Sequence, residues 1–428
     1  MNIKRRIARF LTSSIFTQIQ YGVAHAKRVI SRAPHEVHYF HQVDDPYSHL
    51  MAQVLHAFEA AYNVKLIVHL VNAPEDDVAP EREDLINYSR RDAAKIAPYH
   101  NLTFIDHGAQ PSAEALRLAR RALAGSSKRS KAVADIGKAY WDDNIQALRN
   151  MPLVSDTETE TIFANGSEKR DSLGNYLGAM VYYGGEWYWG VDRLPYLEER
   201  LAKARLRHAN YRQITQFQTR PPFMAKPAKG RLTVEFFPSA RSPYSYVSIE
   251  ETCDLPNHYP VDLVVRPVLP MVMRGLPVPM RKGRYIMRDT KREAVRIGVP
   301  FGNVFDPVGK PVERVYSLFP KANAQGKGLD LIRAFCEMAW AEGQDVGTDE
   351  GLRAAVERAG LNWEDMQDVL DTEDWRAEIE ENRLALVSSG LWGVPSYRLL
   401  NAQGEVIFSC WGRDRVWLLA CEIQKALT

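Results

Sequence analysis

The chain contains little cysteine. Four of its 428 residues are cysteines, all in the second half: Cys253, Cys336, Cys410 and Cys421. No two of them form a Cys-x-x-Cys pair, and their spacing is not that of metal ligands, which argues against a dithiol redox centre and against a bound metal. Scattered thiols are typical of a reducing compartment, so we expect reduced, mostly buried cysteines and a cytoplasmic protein.

Long apolar runs and a large net charge are also missing. No run of the chain is long enough to span a bilayer. The 55 lysines and arginines nearly balance the 53 aspartates and glutamates, for a net charge of +2. Charge therefore favours no class of partner, and no nucleic-acid partner is expected. With 45% hydrophobic and 25% charged residues, the composition is that of a globular protein, and the length predicts two or three domains.

The first 32 residues contain no acidic residue. They carry seven basic ones: Lys4, Arg5, Arg6, Arg9, Lys27, Arg28 and Arg32. Polar residues interrupt the segment, so it lacks the apolar core of a secretory signal. Apolar residues recur at helical spacing from Ile7 to Ile19 and predict a basic amphipathic helix within residues 1–33. This helix either docks on the body of the protein or makes a weak contact with an anionic membrane surface through residues 1–32.

A strand that leads into a helix N-terminus stands at the start of the second half. The apolar run from Leu232 to Phe237 predicts a buried strand, and Ser242-Pro243 predicts the N-cap and first position of a helix. Such an end has free backbone N–H groups and the positive end of the helix dipole, so it stabilises an anion, including a thiolate. In redox proteins of thioredoxin type a Cys-x-x-Cys pair occupies this place, where the chain has Ser242 and Ser245. An ordinary strand-to-helix turn is the alternative interpretation.

The first half repeats the pattern of the second in the same order. Residues 36–40 followed by Asp45-Pro46 match residues 234–237 followed by Ser242-Pro243. Four further pairs of segments match: 64–70 with 261–267, Tyr88 and Arg91-Asp92 with Tyr285 and Arg288-Asp289, 138–141 with 338–340, and 188–194 with 410–416. Five matches in one order indicate a tandem duplication.

Each copy is predicted to contain a β-α-β unit, a helical block, a hairpin and a final helix. This pattern predicts the α/β class, with two tandem thioredoxin-like domains that each carry a helical insertion. The predicted domains are residues 34–205 and 231–428. A linker rich in glutamine and proline joins them at residues 206–230, and the basic helix precedes them at residues 1–33.

Several motifs of the second half together resemble one family. They are Ser242-Pro243-Tyr244-Ser245, Arg266-Pro267, Lys282-Gly283-Arg284-Tyr285, Arg288-Asp289, Gly393-Val394-Pro395-Ser396 and Trp411-Gly412-Arg413-Asp414-Arg415. With these motifs, residues 230–428 resemble 2-hydroxychromene-2-carboxylate isomerase, and more broadly the DsbA-like thioredoxin branch that includes kappa-class glutathione transferases. The resemblance covers nearly a whole family domain.

The resemblance implies glutathione as the cofactor and assigns its ligands. Ser242 corresponds to the catalytic serine, whose hydroxyl binds the glutathione sulfur. Pro395 corresponds to the cis-proline of the fold, and the Val394 backbone would pair with the cysteinyl amide. Asp414 corresponds to the acid that meets the γ-glutamyl ammonium, beside Arg413. Asp414 could instead be a helix cap or an ion-pair partner of its arginine neighbours.

The same resemblance places the substrate pocket near residues 282–289. It implies substrate contacts by Lys282, Tyr285 and Arg288, although a solvated basic face is an alternative for the basic residues. Two positions differ from the family pattern. Ser239 stands where the family usually has aspartate, and the loop of residues 275–278 has no counterpart of a family asparagine.

The first copy resembles the family more weakly. It has Asp45 at the serine position and Ala179 at the proline position. A carboxylate would repel a thiolate, so the first copy is expected to keep the fold without the chemistry.

The predicted function is that of a glutathione-dependent isomerase of the 2-hydroxychromene-2-carboxylate isomerase type acting on a small aromatic or conjugated substrate. A kappa-type glutathione transferase, a DsbA-family oxidoreductase and a non-catalytic binding or scaffold protein are the alternatives. An oligomer is left open.

Overall fold

A computed structural model describes residues 9–10, 13–222 and 232–427. Part of the predicted N-terminal helix and part of the predicted linker therefore lie outside the described residues. The chain divides into two compact units. The N-terminal unit comprises residues 18–218 and 279–285, and the C-terminal unit comprises residues 219–278 and 286–428 with the described residues before 18.

The first half of the chain contains eight named helices and four strands within the described residues. In chain order they are α1 (Ser14–Ile30), β1 (Glu36–His41), α2 (Pro46–Ala61), β2 (Lys65–Leu70), α3 (Arg82–Ile96), α4 (Ala113–Gly125), α5 (Arg129–Trp141), α6 (Ile145–Arg149), α7 (Asp156–Ser172), β3 (Met180–Tyr183), β4 (Glu186–Trp189) and α8 (Gly190–Lys203). A 3₁₀ turn, Ala97–His100, follows α3.

The second half has a corresponding set of elements. They are β5 (Leu232–Phe237), α9 (Pro243–Cys253), α10 (Leu255–His258), β6 (Val261–Val265), α11 (Met280–Ile297), α12 (Lys310–Ala324), α13 (Gly328–Glu337), α14 (Asp349–Arg358), α15 (Trp363–Met366), α16 (Trp375–Val387), β7 (Ser396–Leu400), β8 (Val406–Trp411) and α17 (Val416–Leu427). A π turn, Met338–Glu342, continues α13, and a 3₁₀ turn, Arg413–Arg415, precedes α17.

The two sheets have the same strand order. One is β2-β1-β3-β4 and the other is β6-β5-β7-β8. In each, the first two strands are parallel and joined by a helix, and the last two form an antiparallel hairpin. A helical block lies between the parallel pair and the hairpin. The predicted fold class is confirmed: the chain contains two thioredoxin-like domains in tandem, each with a helical insertion.

Corresponding positions of the two sheets carry different polar groups. In the C-terminal sheet, Glu235 lies between two arginines: its Oε1 accepts from Arg266 Nε at 2.7 Å and its Oε2 from Arg398 Nε at 2.5 Å. The same register positions of the N-terminal sheet hold His38, His69 and Tyr182. His38 Nδ1 and His69 Nε2 are 3.0 Å apart. The shared fold therefore does not depend on one polar interaction at this place.

The predicted helix at the start of the chain is present from Ser14 to Ile30 as α1. Of its predicted extension toward residue 1, residues 1–8 and 11–12 lie outside the described residues. No helix in the described ranges is both long and apolar enough to cross a membrane.

Glu198 on α8 binds the first part of the predicted linker. Its buried carboxylate accepts from Tyr62 Oη at 2.9 Å, from Ile214 N at 2.7 Å, and from both the backbone N–H and the hydroxyl of Thr215. Residues 206–218 are grouped with the N-terminal unit. The segment that the sequence predicts as a linker thus begins as an attached part of this unit.

Replacing Glu198 by alanine should destabilise the N-terminal unit by about 3 kcal/mol or more, because four donors would lose their acceptor in a buried site. Denaturant unfolding measures the loss, and limited proteolysis should find faster cleavage within residues 206–218. Glu199→Ala, one residue on and exposed, is the matched control and should stay within about 0.5 kcal/mol of the wild type. Equal stability of the two variants would contradict this role of Glu198.

Candidate functional site

One edge of the C-terminal sheet gathers three of the predicted site segments. Phe237, at the end of β5, pairs with Ser396, at the start of β7, and Ser396 pairs with Trp411, at the end of β8. The loop that leads to Ser242, the turn at Pro395 and the turn at residues 412–414 each continue from one of these three residues. The register of the sheet therefore places Ser242, Pro395 and Asp414 at the same edge.

Ser242 caps helix α9 as predicted. Its Oγ accepts from Ser245 N at 3.1 Å, and its own N–H donates to Ser239 O at 2.9 Å. The Ser242 side chain keeps some exposure, whereas Ser239 and Ser245 are fully buried. Among the described residues none accepts a hydrogen bond from the Ser242 hydroxyl. That hydrogen is available to a ligand at the positive end of the helix.

Tyr316 holds the loop before Ser242. Its buried Oη accepts from Ala240 N at 3.0 Å and donates to Val268 O at 2.8 Å. Val268 N in turn donates to Pro238 O at 2.9 Å. Burial raises the pKa of Tyr316 well above its usual range, so the phenol stays neutral and can donate. The sequence gives no local signal for this contact, because Tyr316 is on α12, more than seventy residues away.

The Val394–Pro395 peptide bond is cis, which is the predicted isomer. Ser396 Oγ donates to Gly393 O at 2.8 Å and fixes the turn. Gly393 is required by close packing: a Cβ there would lie 2.2 Å from the indole of Trp411. Trp411 and Trp392 pack with their ring centroids 4.9 Å apart. An aromatic pair therefore borders the cis-proline turn.

Asp414 lies in the short turn before α17. Pro395 O accepts from Gly412 N at 2.9 Å, which connects this turn to the cis-proline. Gly412 has a φ of +115°, and a Cβ there would lie 2.5 Å from the Asp414 carboxylate. The guanidinium of Arg413 is buried and bonded to two carboxylates: it donates to Glu293 and, at 2.8 Å, to Glu251. Arg413 thus joins the turn before α17 to α9 and α11, and two carboxylates already bind its guanidinium.

Tyr244 and Arg288 occupy the same unit as Ser242. Tyr244 Oη donates to Asp289 Oδ2 at 2.7 Å, and the buried Asp289 also lies 3.5 Å from Arg292. The guanidinium of Arg288 lies 5.9 Å from the centre of the Phe16 ring. The sequence assigned Arg288 to the substrate pocket and no role to Tyr244. The repeat pairs Tyr244 with Tyr47, and Tyr47 Oη donates to Asp92 at 2.7 Å in the first copy, so the two tyrosines make the same bond.

Lys282 and Tyr285 are placed elsewhere. The sequence assigns them to the second domain, but residues 279–285 are grouped with the N-terminal unit. Lys282 Nζ donates to Val78 O at 2.9 Å, and burial lowers the pKa of Lys282 to about 8. Tyr285 packs against the aromatic cluster that contains Phe40 and Trp187. The structure therefore does not gather the three predicted substrate residues in the unit that contains Ser242.

The N-terminal unit carries a different cap at the corresponding position. Ala179 does correspond to Pro395, because its O accepts from Gly190 N at 2.9 Å just as Pro395 O accepts from Gly412 N. Asp45 caps α2 and accepts from Tyr47 N at 3.2 Å, from Ser48 N at 3.0 Å and from Ser48 Oγ at 2.7 Å. This helix N-terminus is therefore satisfied by the carboxylate of the chain itself.

Burial raises the pKa of the Asp45 carboxyl to about 6, against the hydrogen bonds from Ser48 and Tyr47, which lower it. The folded pKa exceeds the usual value of about 3.9 for an aspartate. The contribution of Asp45 to the free energy of unfolding is therefore fully present below about pH 3.9 and falls as pH rises toward 6. Above pH 6 the loss is complete. Asp45→Ser removes the carboxyl and keeps a capping oxygen, so relative to wild type it should gain about 1–3 kcal/mol between pH 4 and pH 7.

Denaturant unfolding at the two pH values measures that gain. Ser155→Ala is the control, because Ser155 caps α7 through Glu158 N at 3.1 Å without a carboxyl. Its loss of about 1 kcal/mol should be the same at both pH values. A pH-independent effect of Asp45→Ser would contradict the buried carboxyl.

Residues 233–424 match the family model described as a DSBA-like thioredoxin domain. The chain is similar to glutathione S-transferase kappa 1 of Homo sapiens, with 26% identity over 208 residues, 44% of this chain and 89% of that protein. The protein of the same name from Rattus norvegicus is 25% identical over 202 residues, which are 44% of this chain and 88% of that protein.

Solved structures that match include a 2-hydroxychromene-2-carboxylate isomerase. The match has 20% identity and a TM-score of 0.38, and it covers 45% of this chain and 95% of that chain. Another is the cytosolic disulfide reductase DsbM from Pseudomonas aeruginosa with GSH. That match has 19% identity and a TM-score of 0.35, and it covers 46% of this chain and 100% of that chain. By its family match, residues 233–424 of this chain are a DsbA-like thioredoxin domain.

Proposed function

We propose that the C-terminal unit is a glutathione-dependent enzyme, an isomerase of the 2-hydroxychromene-2-carboxylate isomerase type, and that Ser242 binds the glutathione sulfur. The observation that carries this proposal is the Ser242 hydroxyl, which caps α9 with its hydrogen left to donate. It lies at the same sheet edge as the cis bond at Pro395 and the carboxylate of Asp414. The similarity to two kappa-class glutathione transferases supports the proposal.

The residues at this edge fit the chemical groups of glutathione. A thiolate is stabilised by a donating hydroxyl and by the positive end of a helix, and the Ser242 position offers both. The backbone at Val394, before the cis-proline, offers polar groups to a peptide amide. Asp414 offers a carboxylate to an ammonium. Arg413 is the weakest of the predicted ligands, because Glu251 and Glu293 already bind its guanidinium.

Glutathione supplies a nucleophilic thiolate that can add to a conjugated substrate and leave again unchanged. The protein's own part is to hold that sulfur in its charged form and to orient it. Ser242 does this as a hydrogen-bond donor, because a serine hydroxyl is too weak a base to take the thiol proton. The buried Tyr316 keeps the Ser242 loop in place. No metal is required by this chemistry.

The N-terminal unit is proposed not to bind glutathione. Asp45 fills the corresponding helix N-terminus, and a thiolate placed there would meet a carboxylate. Ser48 Oγ also accepts from Ala179 N at 2.8 Å, a bond that the proline at the corresponding position of the C-terminal unit cannot make.

Disulfide exchange is the competing function suggested by the DsbA-like fold. It requires a thiolate at the helix N-terminus, and both thiol positions are serines. All four cysteines are free, and Cys336 and Cys410 are buried. We therefore expect neither reduction of insulin disulfides nor oxidation of a reduced test protein above background.

A cysteine placed at residue 242 tests the site without knowledge of the substrate. Ser242→Cys should react with oxidised glutathione and retain one glutathionyl group, because its thiolate attacks the disulfide and releases reduced glutathione. Ser245→Cys is the matched control and should stay unmodified, since residue 245 is fully buried. Peptide mapping by mass spectrometry locates the adduct. Equal labelling of the two variants would contradict a glutathione site at Ser242.

Titration calorimetry separates the proposed roles of the ligands. Ser242→Ala should cost about 1 kcal/mol of stability and lower glutathione-dependent turnover by roughly 10²-fold, the scale for loss of an aligned donor to an anion. Asp414→Ala should weaken glutathione binding instead, and Asp45→Ala should change neither. If wild type does not bind millimolar glutathione, the enzyme proposal fails in favour of a non-catalytic binding protein.

A further inference from the structure

The side of helix α1 that carries Tyr21 and Ala24 contacts the N-terminal unit. Tyr21 Oη donates to Glu186, and the guanidinium of Arg200 lies 3.5 Å from the centre of the Tyr21 ring. One turn further on, Ala24 lies beside Gly184 in the β3–β4 turn. These contacts define an inner side of the helix and fix its orientation on the unit.

The outer side of α1 is a row of apolar side chains. Ile15, Ile19, Val23 and Ile30 are 63%, 50%, 50% and 83% exposed. Their spacing of four, four and seven residues places them on one face, about opposite the face of Tyr21 and Ala24. A single exposed isoleucine is ordinary, whereas a row of four apolar side chains that are each at least half exposed indicates a contact surface.

The charge around this row has one sign. Helix α1 contains no acidic residue, and Lys27 and Arg28 lie in its last turn. The first 32 residues of the chain contain seven basic residues and no acidic one. A second copy of the same helix would bring two such segments together, and their like charges would oppose the contact. An anionic surface has the complementary charge.

We propose that α1 is a lipid-docking helix, which lies on an anionic membrane surface through Ile15, Ile19, Val23 and Ile30 while its inner side stays attached to the N-terminal unit. An apolar row flanked by basic residues is the pattern of helices that lie in the interfacial plane of a bilayer. The apolar side chains enter the boundary of the acyl chains, and the exposed Lys27 attracts the headgroups. Because Tyr21 and Ala24 face inward, docking requires no loss of the contacts that hold the helix.

Cosedimentation of the full chain with vesicles tests the proposal. Vesicles of phosphatidylcholine alone are compared with vesicles that contain phosphatidylserine, at low and at physiological salt. The protein should bind the phosphatidylserine vesicles, and binding should fall with added salt, because the basic residues supply part of the attraction. Equal binding to both vesicles, or none to the anionic ones, overturns the proposal.

Paired substitutions separate the helix from the rest of the surface. The double variant Ile19→Gln, Val23→Gln replaces the two middle apolar side chains of the row by glutamine, which is a good helix former. It should reduce partitioning of the protein onto phosphatidylserine vesicles by about tenfold or more. Ile105→Gln is the matched control, since Ile105 is 66% exposed in another part of the chain, and it should bind like wild type. Unchanged thermal unfolding of the double variant shows that the fold is intact. Analytical ultracentrifugation that finds a dimer lost in the double variant would assign the row to a second copy and overturn the lipid proposal.

Discussion

Both domains depend on how the N–H groups at the start of one helix are satisfied. The helix after the first strand begins at a sheet edge, and its first turn points N–H groups at whatever lies there. In the N-terminal unit the carboxylate of Asp45 accepts from Tyr47 and Ser48 and fills the position. In the C-terminal unit Ser242 contributes one hydroxyl oxygen and adds no charge. One residue thus decides whether the helix N-terminus is closed by the chain itself or can receive an anion.

The two sheets show that the architecture tolerates exchange of its polar groups. The positions that hold Glu235, Arg266 and Arg398 in one sheet hold two histidines and a tyrosine in the other. Burial lowers the pKa of both histidines, to about 4 for His69, so the two imidazoles favour their neutral forms. Strand order and register are the same in both. The shared constraint is therefore the packing of apolar strand residues, and the polar set on one face is free to diverge.

The sequence predicted the features that local rules determine. The parallel pair and the hairpin follow from the β-α-β and hairpin patterns, the cap at Ser242 from serine before proline, and the correspondence of Ala179 with Pro395 from the repeat. Long-range contacts were not predictable in this way. Nothing near Arg413 in the sequence indicates Glu251 and Glu293 as partners, and nothing near Tyr316 indicates Ala240. The attachment of residues 206–218 through Glu198 was missed for the same reason, because composition alone suggested a linker.

Lys282 is bonded within the N-terminal unit. Its Nζ donates to Val78 O, and burial lowers its pKa to about 8 because the charged ammonium loses solvation there. Tyr285 contributes its ring to an apolar cluster of the same unit. Of the three residues that the family resemblance implies for the substrate, Arg288 alone belongs to the unit of Ser242. The Trp392–Trp411 pair beside the cis-proline belongs to that unit as well, so its aromatic surface and the turn at Pro395 are held by the same sheet.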